Sequence, residues 1–426
     1  MGRLRVLGAT AAVLTLLVSG CGGDKPDVRM VDPQGSGAAA DQGSKPDRKA
    51  YDPPVKFDAG GAVSAPVEEP YQSTMVNRTL SVASMLLDGT TLYAAGASQL
   101  EIIETETGEV TSTIRPDRDS PWKGSDGVAG RPVLATVGGE RLLLVPFTVK
   151  MPGEGTAKAT AGIELVAVST KTGKRAWDMM IDLPAVEAED LKDTYSFIVG
   201  VEGSLLVLRA SAVGTHVVDL EKRKEVWHNE DFPAGAVAAG VVVGTLTPDP
   251  SEVADVQITG LALADGTKRW ALDEVSYSVR IFPAGANRVV TNSVKDRTLS
   301  TRTRVFDAAT GTVVFGDWVE YVQCRYDGIS TTVCMEREWI GAFDQTSKGW
   351  LWEISEERDK REIPEVTTVW HGAVYGTTKT NGPVVLDAKT GADRETDPGL
   401  APFAVNEYVG IGASPGGSIM SYPAAG

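Results

Sequence analysis

From about residue 71 onward the hydrophobic pattern is one phrase repeated: a short apolar strand ending near Asp, a tight turn usually holding Gly, then a second strand that often carries Trp. The copies are IIETETGEVTSTI (102–114), LVAVSTKTGKRAW (165–177), HVVDLEKRKEVW (216–227), GLALADGTKRW (260–270), RVFDAATGTVVF (304–315), GAFDQTSKGWLW (341–352) and VVLDAKTGADR (384–394). Their turn positions, Gly108, Gly173, Arg223, Gly266, Gly311, Lys348 and Gly391, are 37–65 residues apart. An average step of roughly 47 residues suits four short strands per propeller blade. Two further apolar strands around a Gly turn precede each copy, as in SMLLDGTTLYAAG and VTTVWHGAVYG. Each unit therefore reads as strands A, B, C and D, with tight A–B and C–D turns where Gly supplies positive φ and Asp or Thr bonds the turn backbone.

The predicted fold is all-β: a closed propeller of four-stranded blades, with eight blades favoured and seven the alternative. After Gly391 the segments APFAVNEYVGIG and GGSIMSYP supply strands A, B and C of a last unit but no D. A strand from 55–75 would complete that unit and close the ring, which removes exposed strand edges. Trp177, Trp227, Trp270 and Trp352 share one repeat position, so they are expected to pack between blades rather than to form a cofactor box.

The N-terminal 70 residues follow no such period. Arg3 and Arg5 precede an apolar run over 6–18, an export signal too short for a comfortable membrane span. It ends Val18-Ser19-Gly20-Cys21, which resembles the lipobox of bacterial lipoproteins; the resemblance implies lipidation of Cys21. The segment from Gly22 to about Pro70 is rich in Gly, Pro, Asp, Ala and Lys and reads as a flexible tether. The predicted organisation is a signal peptide over 1–20, a tether over 21–72 and a propeller over 73–426. The expected location is the bacterial cell membrane, with the domain lipid-anchored on the extracytoplasmic side.

Charge narrows the partners. The net charge is −16, with no strong basic run, which argues against nucleic acid because backbone binding needs clustered Lys and Arg. Removing residues 1–20 takes Arg3 and Arg5 with it and leaves −18. Three His and three Cys provide too few soft ligands for a convincing Cys/His metal site. Cys324 and Cys334 lie on strands A and B of the sixth unit around the Asp327-Gly328 turn, where they face each other, and export favours a structural disulfide. His216, His228 and His371 sit in or beside strands with no nucleophile or metal motif around them, and read as structural or surface residues.

The Asp-x-x-Thr-Gly turns followed by Trp, strongest at 165–177, 305–315 and 384–391, are similar to the repeats of the quinoprotein-dehydrogenase-type (PQQ-type repeat) β-propeller superfamily. The architecture also resembles a scaffold lipoprotein of outer-membrane β-barrel assembly, an eight-bladed member. Arg223 and Lys348 depart from the turn Gly, which is expected to weaken their blades. The dehydrogenases of the superfamily use adjacent cysteines over the cofactor and Glu, Asn and Asp ligands for calcium. Nothing here matches those positions, so no cofactor is expected, pyrroloquinoline quinone included, and no catalytic, cofactor-binding or metal residues are assigned.

Loop lengths give the remaining clue. In A-B-C-D order the short turns share one face, and the B–C loops and D-to-A connections share the other. The long excursions, 115–130, 148–161, 183–194, 247–257, 293–301 and 355–364, all fall in the second set. Candidate interaction residues there are Asp119, Trp122, Lys123, Asp126, Glu154, Asp190, Asp249 and Asp359. The function expected is that of a membrane-anchored, non-catalytic propeller acting as a protein-interaction scaffold or ligand-binding module, with an envelope protein or a small ligand as partner. The alternative is a quinoprotein-like dehydrogenase or carbohydrate-binding propeller that uses the central channel.

Overall fold

A computed structural model describes residues 49–67, 84–121, 130–187, 195–211, 213–248, 255–295, 301–318, 321–414 and 416–426. Their strands form eight antiparallel sheets of four. Blade 1 comprises Met85–Asp88, Thr91–Ala95, Leu100–Glu104 and Val110–Ile114. Blade 2 comprises Val133–Val137, Glu140–Met151, Thr160–Ser169 and Lys174–Glu187. Blades 3 to 7 occupy 196–229, 234–276, 278–318, 323–355 and 365–395. Blade 8 takes Ala404–Val405, Val409–Ala413 and Ile419–Pro423 from the C-terminal end, and Val63–Ser64 from the N-terminal side. Val63 pairs with Ser421 and Ser64 with Met420. The missing fourth strand thus comes from within 55–75, and the ring has eight blades.

The first strands of successive blades pack against one another, blade 8 against blade 1 included, so strand A is innermost and surrounds the channel. Eight apolar cores lie between neighbouring blades, one for each interface. Both faces of strands B and C are therefore buried, which is why LLLVPF in blade 2 is continuously apolar. Strand D has one edge in solvent and reverts to alternation, as in KEVWHN of blade 3.

The repeated turn locks these interfaces. In blade 5 the Asp307 carboxylate accepts from Thr310 N at 3.1 Å and Thr310 Oγ1 at 2.9 Å, and Gly311 N donates to Asp307 O at 2.9 Å. Blade 7 repeats this with Asp387, Thr390 and Gly391. The turns of blades 4, 5 and 7 each receive the Trp of the preceding blade. Trp227 Nε1 donates to Leu263 O, Trp270 Nε1 to Ala308 O and Trp352 Nε1 to Ala388 O, at 2.8–2.9 Å. The indole lies against the turn glycine, where a Cβ on Gly311 would meet Trp270 at 2.5 Å. Gly here serves both its φ of 70° and the approach of a ring.

Where the repeat departs from Gly, the structure replaces the contact. Arg223 adopts φ 53° and holds its guanidinium 5.2 Å above the Trp177 ring, restoring the interblade contact as a cation–π pair. In blade 6 the turn is held by Asp344, which accepts from Thr346 and Ser347. Phe315 takes the Trp place in blade 5 and packs edge-on against Phe343 and Trp350.

Cys324 and Cys334 are register partners on strands A and B of blade 6 and form a disulfide. Both are buried. Replacing both by Ala is expected to lower stability by about 2–3 kcal/mol, from the closure of a short loop. Chemical denaturation of the double variant measures it, and an unchanged midpoint contradicts it.

Two expectations are corrected. Residues 49–67, assigned to the tether, are part of the ring: Phe57, Ala65 and Val67 are buried, and Tyr51, Val55, Phe57 and Asp58 donate backbone hydrogen bonds to C-terminal residues. The blade 8 strands are short, so the arm supplies much of that blade's cover. The supposed loops 148–161 and 183–194 are in part strand, since strands B, C and D of blade 2, 12, 10 and 14 residues long, take in 148–151, 160–161 and 183–187. Among the described residues the single helix, Glu356–Asp359, lies within the 355–364 excursion.

Candidate functional site

Blade 2 dominates the face bearing the B–C loops and D-to-A connections. Its strand B exceeds that of blade 1 by seven residues, 12 against 5. At about 3.3 Å per residue the blade rises roughly 20 Å above its neighbour. The rise is possible because both of its faces are covered. Ile181, Leu183 and Val186 pack against Leu208, Ala210 and Val213 of blade 3, while Phe147 and Val149 lie in the core shared with blade 1. The connection from blade 1 also folds onto it. Lys150 N donates to Asp119 O at 2.8 Å, and the fully buried Glu164 carboxylate accepts from Asp117 N at 2.7 Å and Arg118 N at 3.2 Å.

The carboxylates of Asp117, Glu164 and Asp178 converge within 4.8 Å. Arg175 accounts for that convergence. Its Nη1 lies 2.7 Å from Asp117, 3.5 Å from Glu164 and 3.5 Å from Asp178, and its Nη2 donates to Arg115 O. The cluster is an ionic staple between the connection and the blade.

Of the candidate loop residues, Asp119 and the exposed Glu154 both belong to this blade 2 promontory. Asp359 does not join them: it sits on blade 6, four blades away round the ring. Its carboxylate accepts from Ser355 N at 2.8 Å and pairs with Arg358, and these bonds hold it below the ordinary range. That is a local helix-capping role. Trp122, Lys123, Asp126, Asp190 and Asp249 lie outside the described residues, as does Cys21.

Sequence reasoning overlooked a group of arginines at the inner rim. Arg131 stands two residues before strand A of blade 2, Arg325 is on strand A of blade 6, and Arg209 is near the far end of strand B of blade 3. Strand direction puts Arg131 and Arg209 toward the loop-bearing end, whereas Arg325 lies two residues before the A–B turn of blade 6, toward the short-turn end. Arg325 donates to Thr367 O, and Arg209 Nη1 lies 3.4 Å from Ala234 O, on the first strands of the next blades. Burial first, and the like charge of Arg131 after it, pull the Arg325 guanidinium down to about 10. Burial lowers Arg209 in the same direction. Near them Arg280 lies 5.1 Å from the Tyr321 ring. One signal was available: a charged residue on an innermost strand has no route to the outer surface, so QCRY of blade 6 commits Arg325 to the interior.

The histidines have local partners. His216 Nδ1 is 2.6 Å from Glu225, and its ring stacks on His228 at 5.6 Å, its register partner. His371 stacks on Trp370 at 3.7 Å and bonds Asp52 of the N-terminal arm at 2.5 Å.

The arm also orients the molecule. Tyr51 meets the A–B turn of blade 8 at Glu407, and Asp52 meets the A–B turn of blade 7 at His371. Residue 49 therefore leaves the ring on the short-turn face, opposite the promontory.

No protein-family model matches the chain, and no curated protein matches it in sequence. Solved structures do. The computationally designed Ika8 protein is similar with a TM-score of 0.50 and 11% identity, over 80% of this chain and 95% of that one. BamB from Moraxella catarrhalis gives 0.40 and 11%, over 85% and 98%. The quinohemoprotein alcohol dehydrogenase ADHIIG from Pseudomonas putida HK5 gives 0.42 and 11%, over 80% and 73%. At such identities the likeness is one of fold alone, and the fold, read from the chain's own strands, is an eight-bladed β-propeller.

Proposed function

We propose that this protein is an exported lipoprotein, anchored through Cys21, whose propeller holds an envelope protein on its loop-bearing face without catalysing a reaction. The observation that carries the reading is the polarity of the ring. The chain leading back toward Cys21 departs from the short-turn face, while the blade 2 promontory stands on the opposite one. A tether attached to one face leaves the other turned away from the bilayer. From residue 21 to residue 49 a flexible chain has a root-mean-square span of roughly 30 Å, enough to clear the headgroups. The promontory is a projecting, two-sided rigid support for loops, the arrangement that suits recognition by shape.

Two measurements test this together. Cys21→Ala is expected to move the protein from the membrane fraction to the soluble extracytoplasmic fraction; unchanged membrane association contradicts the anchor. In native membranes, a photocrosslinking side chain at exposed Glu154 is expected to capture a discrete protein. The same probe at exposed Ile329, on the short-turn face, is expected to capture none. Equal capture from both positions, or none from Glu154, overturns the assignment of the face.

A further inference from the structure

We propose that the outer strands of blade 3 bind a divalent transition-metal ion of the Zn²⁺ or Cu²⁺ class, ligated by His228 Nδ1 and Glu225 Oε2, with His216 holding the carboxylate in place. His216 and His228 stand directly opposite each other on strands C and D. Glu225 joins them through a β-bulge. Residues three apart on a regular strand face opposite sides, but the register shift between Val217 and Val218 inserts Val226 and brings Glu225 round to the side of His228. The propeller does not demand this chemistry. The pair preceding the same bulge is Glu101 and Thr113 in blade 1, Val166 and Asp178 in blade 2, and Thr259 and Ala271 in blade 4.

Burial divides the roles of the three side chains. His216 is 6% exposed and its Nδ1 lies 2.6 Å from Glu225 Oε1, while its buried Nε2 has no hydrogen-bond partner among the described residues. A proton on Nε2 would bury an unpaired donor, so the hydrogen-bond network puts the ring proton on Nδ1, which donates it to Glu225. That bond fixes one carboxylate oxygen and leaves the other for a ligand, as outer hydrogen bonds do for metal-binding carboxylates. Glu225 and His228 are 35% and 53% exposed, so an ion reaches them from solvent. Their facing atoms, Oε2 and Nδ1, are 3.5 Å apart, longer than a good hydrogen bond. Two ligands at about 2.0–2.2 Å from a tetrahedral ion lie about 3.3–3.6 Å from each other, so the pair spans one ion without backbone movement. Stacking on His216 at 5.6 Å restrains the His228 ring as well. Water completes the coordination. Imidazole beside carboxylate favours zinc or copper over calcium, and the net charge of −16 draws cations to the surface.

The test is calorimetric titration of the full, untagged chain with zinc chloride and, separately, with copper(II) chloride, taking Cys21→Ala as the parent so that no free thiol competes. One-to-one binding of at least one ion is expected, and equimolar Ca²⁺ is expected not to displace it. His228→Ala and Glu225→Gln are each expected to weaken the binding by about tenfold or more. Asp182→Asn is the control, since it removes an exposed carboxylate from blade 2, and its affinity is expected to be unchanged. Two substitutions separate positioning from bulk at residue 216. His216→Asn keeps a donor near the place of Nδ1 and is expected to bind almost as the parent does, whereas His216→Phe keeps a ring without the donor and is expected to lose about tenfold. Pulsed electron paramagnetic resonance of the copper complex is expected to show one imidazole nitrogen. If neither ion binds one-to-one, or if His228→Ala and Glu225→Gln keep the parent affinity, the site is refuted; displacement by Ca²⁺ overturns the class of ion. Two imidazole nitrogens on copper, or parent affinity in His216→Phe, overturns the positioning role of His216. His228→Ala changes an exposed side chain on an outer strand, which keeps the test decisive if a His216 variant does not fold.

Discussion

Deleting residues 21–67 is expected to abolish cooperative thermal unfolding of the ring, whereas deleting residues 21–48 leaves the melting transition where it was. The longer deletion removes the outer strand of blade 8, Val63–Ser64, and with it the hydrogen bond from Ala65 N to Ile419 O. It exposes the apolar surface that Phe57, Ala65 and Val67 cover, at about 1.5–3 kcal/mol for each large side chain. It also strips Tyr375, whose hydroxyl donates to Pro54 O at 2.7 Å and whose ring is fully buried. A buried hydroxyl left without its acceptor costs about 1–3 kcal/mol. Together these losses approach the net stability of a whole domain, about 5–15 kcal/mol. The last strand of blade 8 then becomes a bare edge open to association. Scanning calorimetry and size-exclusion chromatography of the two truncations make the comparison. A single transition at the parent temperature for the longer deletion means that the arm is ornament; recovery on adding a peptide of residues 49–67 shows that it is a strand.

Trp270→Ala is expected to cost roughly 3–4 kcal/mol, a lowering large for one side chain that is only half-buried. The indole is held from both sides. Within its own blade Gly260 faces the ring, since a Cβ there would come within 2.3 Å of it; in the next blade Gly311 does the same at 2.5 Å. The pyrrole N–H donates to Ala308 O at 2.9 Å. Removing the ring opens a slot that two glycine backbones cannot fill. Trp270→Phe keeps part of the contact and loses the hydrogen bond, so about 0.5–1.5 kcal/mol of that cost is expected to separate Phe from the parent. Gly311→Val approaches the interface from the other side, with the added strain of a β-branched residue at φ 70°. Denaturant midpoints of the three variants establish the ranking, and a near-neutral Trp270→Ala removes the clamp from the account of the ring.

Much of this was legible in the chain because a propeller repeats. Seven strand–turn–strand phrases at a step near 47 residues, four of them ending on Trp, predict a four-stranded unit, and the count of leftover strands after Gly391 predicts a shared last blade. The interblade role of Trp177, Trp227, Trp270 and Trp352 followed from recurrence alone. The pairing of Cys324 with Cys334 followed from their symmetric distance about one turn. Elsewhere the reading failed for physical reasons. The Pro- and Gly-rich stretch over 49–67 has no apolar period, since it binds by backbone hydrogen bonds and a few isolated side chains, and so it reads as tether. Long strands in blade 2 were mistaken for loops because MPGEGTAKAT breaks the apolar run just where two strands turn back on themselves. Arg223 reads as a defect at a glycine site, and only the placement of Trp177 beneath it reveals a compensating contact.

The amino-acid sequence by itself determined what is local and repeated: the four-strand unit, its turn chemistry, the need for a closing strand and the disulfide across one hairpin, with the choice of eight units over seven left to the structure. These depend on residues close in the chain or related by a constant step, so alternation and spacing record them. The tertiary structure alone decided what depends on closure. It set the N-terminal arm across the short-turn face, where Asp52 meets His371 more than three hundred residues away, and raised blade 2 on the other. Contacts of that kind carry no periodic signature, because they arise only when a ring of eight sheets returns to its starting point.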